Sequence, residues 1–451
     1  MSDASLQRRV MGGLGAQAFG QVVNTVIQIA SVPLFLRAWG IELYADWLIV
    51  SAVPVYLAMS DVGFTNAAMN DMTMSVGKGD RAAALASCHS AWLLLSLVTV
   101  GAVIVIVPTV LLLPIGTWLK LSRLEGPGPV MILLSIQVLA NLQTGLVYAG
   151  FHCERNYGIG QFLVACVRLS EFGAMAVTVL LGGGPFAAAM AFVGARIVGT
   201  LGMRIVLWRR SPWLSFGYRY ASKRVVKRLA GPAFAFTAFP LGNALSLQGV
   251  LIVVGSTLGP VPTVTFNTLR TMTRVGLQFV NAIRAAVAAE VSTAFSAGNY
   301  ALLRQLHDRS CQAALWVSAA VVVGLLVFGE KILFVWTHGS VGMDRLVFIL
   351  LLSLVLPASL WLSSLNLAYA TNRHERVGAA YVGISLVTVL GTYGVASRLH
   401  LPGIAGILLI GECFMVLYVV RTSLSLLNET PGDFARALVL SRGLAWPRRS
   451  I

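Results

Sequence analysis

Residues 262–298 read PTVTFNTLRTMTRVGLQFVNAIRAAVAAEVSTAFSAG, and the reading of this stretch decides the fold. Asn267, Arg270, Arg274, Gln278, Asn281 and Arg284 punctuate an otherwise apolar run. They recur every three or four residues, so they share one face of a helix. The segment is long and apolar enough to cross a bilayer. An arginine at mid-bilayer costs ~2.5 kcal/mol or more, so three on one face call for a wet, protein-lined cavity. A cationic cavity inside a membrane protein suits an anionic cargo.

The rest of the chain agrees with a membrane setting. Hydrophobic residues make up 57% of the 451 and charged residues 11%, with a mean hydropathy of +0.80. An ordinary soluble domain has roughly twice that share of charge. At ~20 apolar residues per crossing, the chain reads as twelve transmembrane helices near 10–37, 46–76, 84–115, 129–151, 159–182, 185–208, 231–258, 263–297, 304–329, 346–371, 379–398 and 402–427. The expected class is an all-α integral membrane protein. The first apolar run is too long for a signal peptide and no small-residue cleavage site follows it.

Lysine and arginine placement sets the expected orientation. Of the 33 basic residues, 21 fall on one side together with both termini, among them Arg8, Arg9, Lys78, Arg155, Arg373, Arg376, Arg442, Arg448 and Arg449. Six fall on the other side (Arg37, Lys120, Arg123, Lys331, Arg345 and Arg398). The other six, Arg168, Arg196, Arg204, Arg270, Arg274 and Arg284, lie within spans. Both termini are therefore expected to be cytoplasmic. The net charge of +16 sits largely in cytoplasmic loops, above all in residues 208–228, which hold seven basic and no acidic residues. Such a loop faces an anionic leaflet and sets topology; no nucleic-acid-binding motif accompanies it, so nucleic acid is not an expected partner.

The chain also repeats. Gly40 and Gly259 end the first span of each half and Gly79 and Gly298 the second, each pair 219 apart; Tyr148-Ala149 with Glu154-Arg155 reappears 221 later as Tyr369-Ala370 with Glu375-Arg376. This predicts two six-helix bundles, 1–208 and 229–430, joined by a basic cytoplasmic linker at 209–228 and followed by a cytoplasmic tail at 431–451. Two halves in the same orientation are the arrangement of parallel-repeat transporters with a site between halves. Pro33, Pro54, Pro232 and Pro240 can bend spans one, two and seven.

Further polar stripes suit a central cavity. Gln17, Gln21, Asn24 and Gln28 mark the first span, Asn66, Asn70 and Thr73 the second, and Gln137, Asn141, Thr144 and Tyr148 the fourth. Amides cannot face hydrocarbon unpartnered, so they meet water, cargo or other helices; interhelical bonding alone is the plainer alternative, above all for the fourth span. Arg168 and Glu171, three apart, read as a self-satisfying pair, and Glu290 as a candidate partner for Arg284. Asp61 and Glu412 are isolated intramembrane acids, each either an ion-coupling group or a counter-ion to an arginine; Glu290 joins them as a candidate. No catalytic residue is expected. The six histidines are scattered and receive no role. Cys88, Cys153, Cys166, Cys311 and Cys413 form no CxxC pair, so neither a disulfide framework nor a metal site is expected. No Walker motif, nucleotide loop or HExxH occurs, and the longest outer connection, near 328–345, is too short for a catalytic domain. A transporter rather than an enzyme is expected, with no cofactor beyond a coupling ion, H+ or Na+.

Gly12-Gly13-Leu14-Gly15-Ala16-Gln17 through Ser31-Val32-Pro33-Leu34, then Trp39-Gly40 and Tyr44, resembles the polysaccharide flippases of the MATE-like (MOP) exporter superfamily. So do Ser60-Asp61-Val62-Gly63-Phe64 with Asn70 and Gly79-Asp80, and Arg270-Thr271 to Arg274 with Glu290-Val291-Ser292 and Gly298. The resemblance covers essentially the whole chain and its motifs are mostly structural. It implies two six-helix bundles around a V-shaped, cationic central cavity. It implies movement of undecaprenyl-diphosphate-linked oligosaccharides across the bacterial inner membrane for O-antigen, lipopolysaccharide, capsule or exopolysaccharide assembly, by a protein working as a monomer beside polysaccharide-assembly enzymes. Arg270, Arg274 and Arg284 would then hold diphosphate, and Gln17, Gln21, Asn24, Gln28, Asn66, Asn70 and Asn281 would serve glycan or gating. The rivals are a multidrug or cation antiporter of the same superfamily, a membrane glycosyltransferase or polymerase, and a scaffold docking through the basic loop.

Overall fold

The computed structural model describes the backbone of residues 3–371 and 374–439, and the side chains of these except 3–11, 14, 231, 232, 234–236, 289 and 374. The expected inner-side charges Arg8, Arg9 and Arg373, and the tail beyond 439 with Arg442, Arg448 and Arg449, lie outside the described side chains, as does Pro232. The described residues are all-helical. The helices are α1 (Asp3–Ala52), α2 (Phe64–Gly77), α3 (Arg81–Leu112), α4 (Ile115–Trp118), α5 (Pro127–Cys153), α6 (Tyr157–Leu180), α7 (Pro185–Arg210), α8 (Lys223–Ala244), α9 (Val250–Leu258) and α10 (Pro260–Ser296). They continue as α11 (Tyr300–Thr337), α12 (Arg345–Ser353), α13 (Val355–Ala370), α14 (His374–Leu427) and α15 (Pro431–Val439).

Among the described residues, nine segments are long and apolar enough to cross a membrane. Two of them, Gly15–Gly77 and Glu375–Leu427, run to 63 and 53 residues, more than twice what one crossing needs. Within them the helices α1 and α14 are each broken by a non-helical residue, Gly40 (φ 73°, ψ −179°) and His400 (φ 50°, ψ −149°). α10 adds a further crossing, kept out of the apolar set by its own arginines. The chain is therefore a multi-pass membrane protein. The outward faces agree: Leu97, Val100, Ile104, Val105, Leu111 and Leu112 of α3 are all more than half exposed, which suits a hydrocarbon solvent and not water.

The repeat landmarks share a backbone conformation. Gly40 and Gly259 both hold positive φ with ψ near 180° (Gly259: φ 87°, ψ −171°), a region open essentially to glycine alone. At the second pair the whole turn recurs. Gly79 and Gly298 are left-handed, the Asp80 and Asn299 amides reach back to the carbonyls of Ser75 and Ala294, and the side chains of Asp80 and Asn299 accept from the amides of Ala83 and Leu302. Asp80 and Asn299 are thus side-chain N-caps of α3 and α11.

Three spans are less regular than the continuous apolar runs suggest. The helix expected over 46–76 is interrupted by a 3-10 segment, Pro54–Asp61, and a left-handed pair, Val62 and Gly63, before α2 starts. Asp61 explains the restart: its carboxylate accepts the amides of Gly63 (2.6 Å) and Thr65 (3.4 Å). A π-helical turn, Leu245–Gly249, separates α8 from α9. α12 and α13 part at Leu354, three residues before Pro357, which has no N–H to continue the ladder.

The chain forms two compact units, Met1–Val264 and Thr265–Ile451, so the division falls inside α10 rather than in the 209–228 linker. The reason is packing: Leu229 and Ala233 of α8 are buried in one apolar cluster with Ala67 and Ala68 of α2, Leu95 of α3 and Leu146 of α5. In the first unit α5 buries about half its residues and packs on α2, α3, α6 and α7. In the second unit α13 takes that central place between α11 and α14.

Candidate functional site

α10 brings Arg270 and Arg274 to the same face because they stand four residues, about one turn, apart. Arg270 is buried, with its guanidinium 5.5 Å from the centre of the Phe266 ring. Arg274 is half-buried. Both line a small cavity inside the second unit, about 20 Å³, enough for one ordered water. Thr273 and Leu277 of α10, Leu351 of α12, Val355 and Ala358 of α13, and Leu408 and Glu412 of α14 complete its wall. The Glu412 carboxylate accepts a hydrogen bond from the Trp361 indole at 2.7 Å. The ring of Trp361 lies 5.3 Å from that of Tyr381. Two guanidinium groups and one carboxylate thus share a low-dielectric pocket, leaving a formal charge of +1. Such a pocket suits an anion, whose charge would offset an excess that water does not screen.

Arg284 is not part of this pocket. It stands fourteen residues past Arg270, about 21 Å along the helix axis, too far for both to grip one diphosphate. Its Nε is buried without a hydrogen-bond partner, and its backbone carbonyl accepts from the Asn366 amide at 2.8 Å. Asn281 is half-buried on the same helix. Glu290 is exposed, and no ion pair joins it to Arg284 among the described residues. Six residues place the two on different faces of the helix.

The polar stripes of the first unit divide into two kinds. Gln17 and Gln28 of α1 and Asn66 and Asn70 of α2 are exposed, and Gln21 is half-buried. An exposed row of amides on an apolar helix is a surface for water or a polar cargo, not for hydrocarbon. Asn24 instead accepts a hydrogen bond from Arg168 at 3.0 Å. The fourth-span stripe is internal: Gln137 donates to Glu171 at 2.8 Å and Thr144 bonds Thr200 at 2.7 Å.

The expected pairing of Arg168 with Glu171 does not form. Glu171 is buried on the face of α6 that meets α7, where Arg196 grips it with two hydrogen bonds of 2.6 and 2.5 Å. Arg168, three residues earlier, points to an exposed position instead. Burial selected the partner: a fork on a facing helix can satisfy both carboxylate oxygens, which a neighbour one turn away cannot do as well. Asp61, read as an ion-coupling candidate, caps α2 with its carboxylate as described above.

Two further groups were missed in the sequence. Trp361 carried no signal beyond being a lone indole in an apolar run. Arg204 has its guanidinium 5.5 Å from the Trp92 ring and 5.3 Å from that of Phe216.

No protein-family model and no curated protein matches the chain. Solved structures do. An outward-facing multidrug resistance MATE family transporter of the MOP superfamily aligns with 94% of this chain and 96% of its own, with a TM-score of 0.66 and 15% identity. An inward-facing one aligns with 90% and 99%, at a TM-score of 0.63 and 16% identity. A third match is a MOP superfamily transporter from Pyrococcus furiosus, described as having a reversed polarity of its binding pocket that suggests a different function. It covers 94% of this chain and 95% of its own at a TM-score of 0.60 and 15% identity. The chain therefore has the fold of the MATE transporters of the MOP superfamily.

Proposed function

We propose that this protein is a flippase. Its cargo would be an undecaprenyl-diphosphate-linked oligosaccharide, carried across the bacterial inner membrane by alternating access for surface polysaccharide assembly. The observation that carries the reading is the pocket where Arg270 and Arg274 outnumber Glu412. Arginine suits a diphosphate because its planar fork donates paired, charge-assisted hydrogen bonds. Glu412 would hold the pair of guanidiniums in place while no cargo is bound and yield to the phosphate when it arrives. Arg284, too far along α10 to share one diphosphate with Arg270, would be a separate waypoint near Asn281. The exposed amides Gln17, Gln28, Asn66 and Asn70, with Gln21, would meet sugar hydroxyls; Asn24 reaches the cargo only if Arg168 releases it. Coupling to H+ or Na+ would fall to Glu412 rather than to Asp61, whose oxygens are engaged at α2, or to Glu290, which is exposed. The pocket polarity described for the Pyrococcus furiosus transporter is a precedent for this fold hosting a site of unusual charge.

A specific observation also favours the alternative, a cation or multidrug antiporter: Glu412 is an acid in a membrane cavity, and two of the solved relatives in fold are multidrug resistance transporters. The discriminating experiment is reconstitution in proteoliposomes with a fluorescent undecaprenyl-diphosphate oligosaccharide and, in parallel, a cationic dye. The flippase reading expects wild-type translocation of the lipid that collapses in Arg270→Ala/Arg274→Ala. Dye–proton exchange that depends on Glu412, with no lipid movement, would replace it with the antiporter.

A further inference from the structure

At the end of α14 the chain turns through Asn428, left-handed at φ 49°, and Glu429 folds back against the first turns of α11. There Glu429 meets His307 and Asp308. One ligand atom from each of the three lies within 4.8 Å of the others. His307 and Glu429 are 3% and 7% exposed. His307 Nδ1, Asp308 Oδ1 and Glu429 Oε2 are all buried without a hydrogen-bond partner. Three buried, unpartnered side-chain atoms, two of them carboxylate oxygens, converging on one point in a protein interior are a costly arrangement unless something positive sits among them.

The surrounding contacts are those of a ligand set. His307 Nε2 lies 2.9 Å from the Ser364 hydroxyl, which fixes the ring; with Nε2 as the donor, Nδ1 presents its lone pair to the cluster. Nδ1 stands 3.6 Å from Asp308 Oδ1, too long for a hydrogen bond. It is close to the ~3.4 Å that separates two ligands of a tetrahedral ion with bonds of ~2.1 Å. The second oxygen of Glu429 is held by Arg304 at 2.8 Å, so Oε2 is left to face the cluster. The Phe434 ring stacks on His307 at 5.3 Å and closes the apolar side. Glu429 also lines an open cleft with Leu424, Ser425 and Pro431, which supplies a route in. Counting Arg304 and the nearby Asp433 (3.9 Å from Arg304), the neighbourhood carries a formal −2, and a dication neutralises it.

We propose that His307, Asp308 and Glu429 form a binding site for a divalent transition-metal cation, zinc or manganese in class, that ties the α14–α15 corner to α11. One imidazole and two carboxylates are a donor set for such ions, whereas calcium and magnesium prefer oxygen throughout. Asp308, at the edge of the cluster with 15% of its side chain exposed, is the ligand free to swing inward and close the shell.

The test uses the full-length protein in detergent, with any affinity tag removed and the sample stripped with a chelator. Zn2+, Mn2+, Ca2+ and Mg2+ are then titrated separately by calorimetry, with metal content read by mass spectrometry after desalting. The expected result is one Zn2+ or Mn2+ per chain and a higher unfolding temperature in its presence. Asp308→Asn should weaken binding at least 100-fold while leaving the Arg304–Glu429 and His307–Ser364 contacts intact, so its metal-free unfolding temperature should match wild type. Glu429→Gln is the second variant, and it should lose binding too. Absence of stoichiometric binding by the wild type overturns the proposal, as does undiminished binding in Asp308→Asn or a preference for Ca2+ or Mg2+.

Discussion

The buried pair of Glu171 and Arg196 offers a quantitative test of how this fold handles charge. Its side chains are 3% and 4% exposed, joined by two hydrogen bonds, with Gln137 as a third partner of the carboxylate. Arg196 Nη1 already lacks a partner in the interior. Removing the carboxylate therefore strands a full positive charge. Breaking a buried pair in this way costs ~3–5 kcal/mol. A guanidinium keeps its charge under any working condition, whereas a stranded carboxyl can bind a proton. The two halves of the pair are therefore not equivalent. We expect Glu171→Gln to cost about 4 kcal/mol, a drop in unfolding temperature of roughly 4 °C for a chain of 451 residues. Arg196→Met should cost about half as much, in the range for one buried group left unsatisfied. In the double variant the new amide would face Gln137 with no charge left to strand, and stability should return to within about 1 kcal/mol of wild type. The assay is thermal unfolding of each purified variant in one detergent, followed by intrinsic fluorescence, with the coupling energy taken from the double-mutant cycle. A Glu171→Gln melt within about 0.5 °C of wild type, at the ~0.5 kcal/mol level of a surface change, would refute the reasoning. So would a double variant no better than Glu171→Gln.

Four further outcomes follow from single residues. Asp46 is 1% exposed and accepts the amides of Ser122, Arg123 and Leu124 at 2.6–3.1 Å, pinning that loop to α1. Asp46→Ala should cost about 2–4 kcal/mol and should open 119–126 to proteolysis first. His400 holds φ 50° and ψ −149°, a conformation that costs a side-chain-bearing residue about 1–3 kcal/mol. His400→Gly should accordingly raise the unfolding temperature, and a lower one would contradict the strain. Gly40→Ala is the converse case, expected to destabilise by about 1–3 kcal/mol because the repeat turn at φ 73° and ψ −179° admits glycine alone. Finally, Gly160→Ala would bring a methyl within 2.7 Å of the Phe151 Cβ, so overpacking of about 1–3 kcal/mol should appear as reduced stability with unaltered secondary structure by circular dichroism.

Much of the architecture was legible one residue at a time. Bilayer crossing depends on the summed hydrophobicity of a local run, so the multi-pass character could be read from composition along the chain. The turns at Gly40, Gly79, Gly259 and Gly298 were also local: a positive φ favours glycine, and the 219-residue spacing pointed to the repeat. The placing of Arg270 and Arg274 on one face needed only the helical period. The interruptions at Pro54–Asp61 and at Leu245–Gly249 were not legible in the same way, because an apolar run looks continuous whether or not the backbone ladder within it is.

What tertiary structure alone decided is who meets whom. Glu171 passed over Arg168, three residues away on its own helix, for Arg196 on another. Glu412 came to the arginine pocket from α14, and Glu429 to His307 and Asp308 from beyond it. α8 joined the first unit although the repeat assigns it to the second half. Period and composition report which face of a helix is polar, but a polar face in a bundle can turn toward several neighbours. The choice rests on which neighbour's geometry satisfies a buried charge once every helix is packed, a condition that no local stretch of sequence contains.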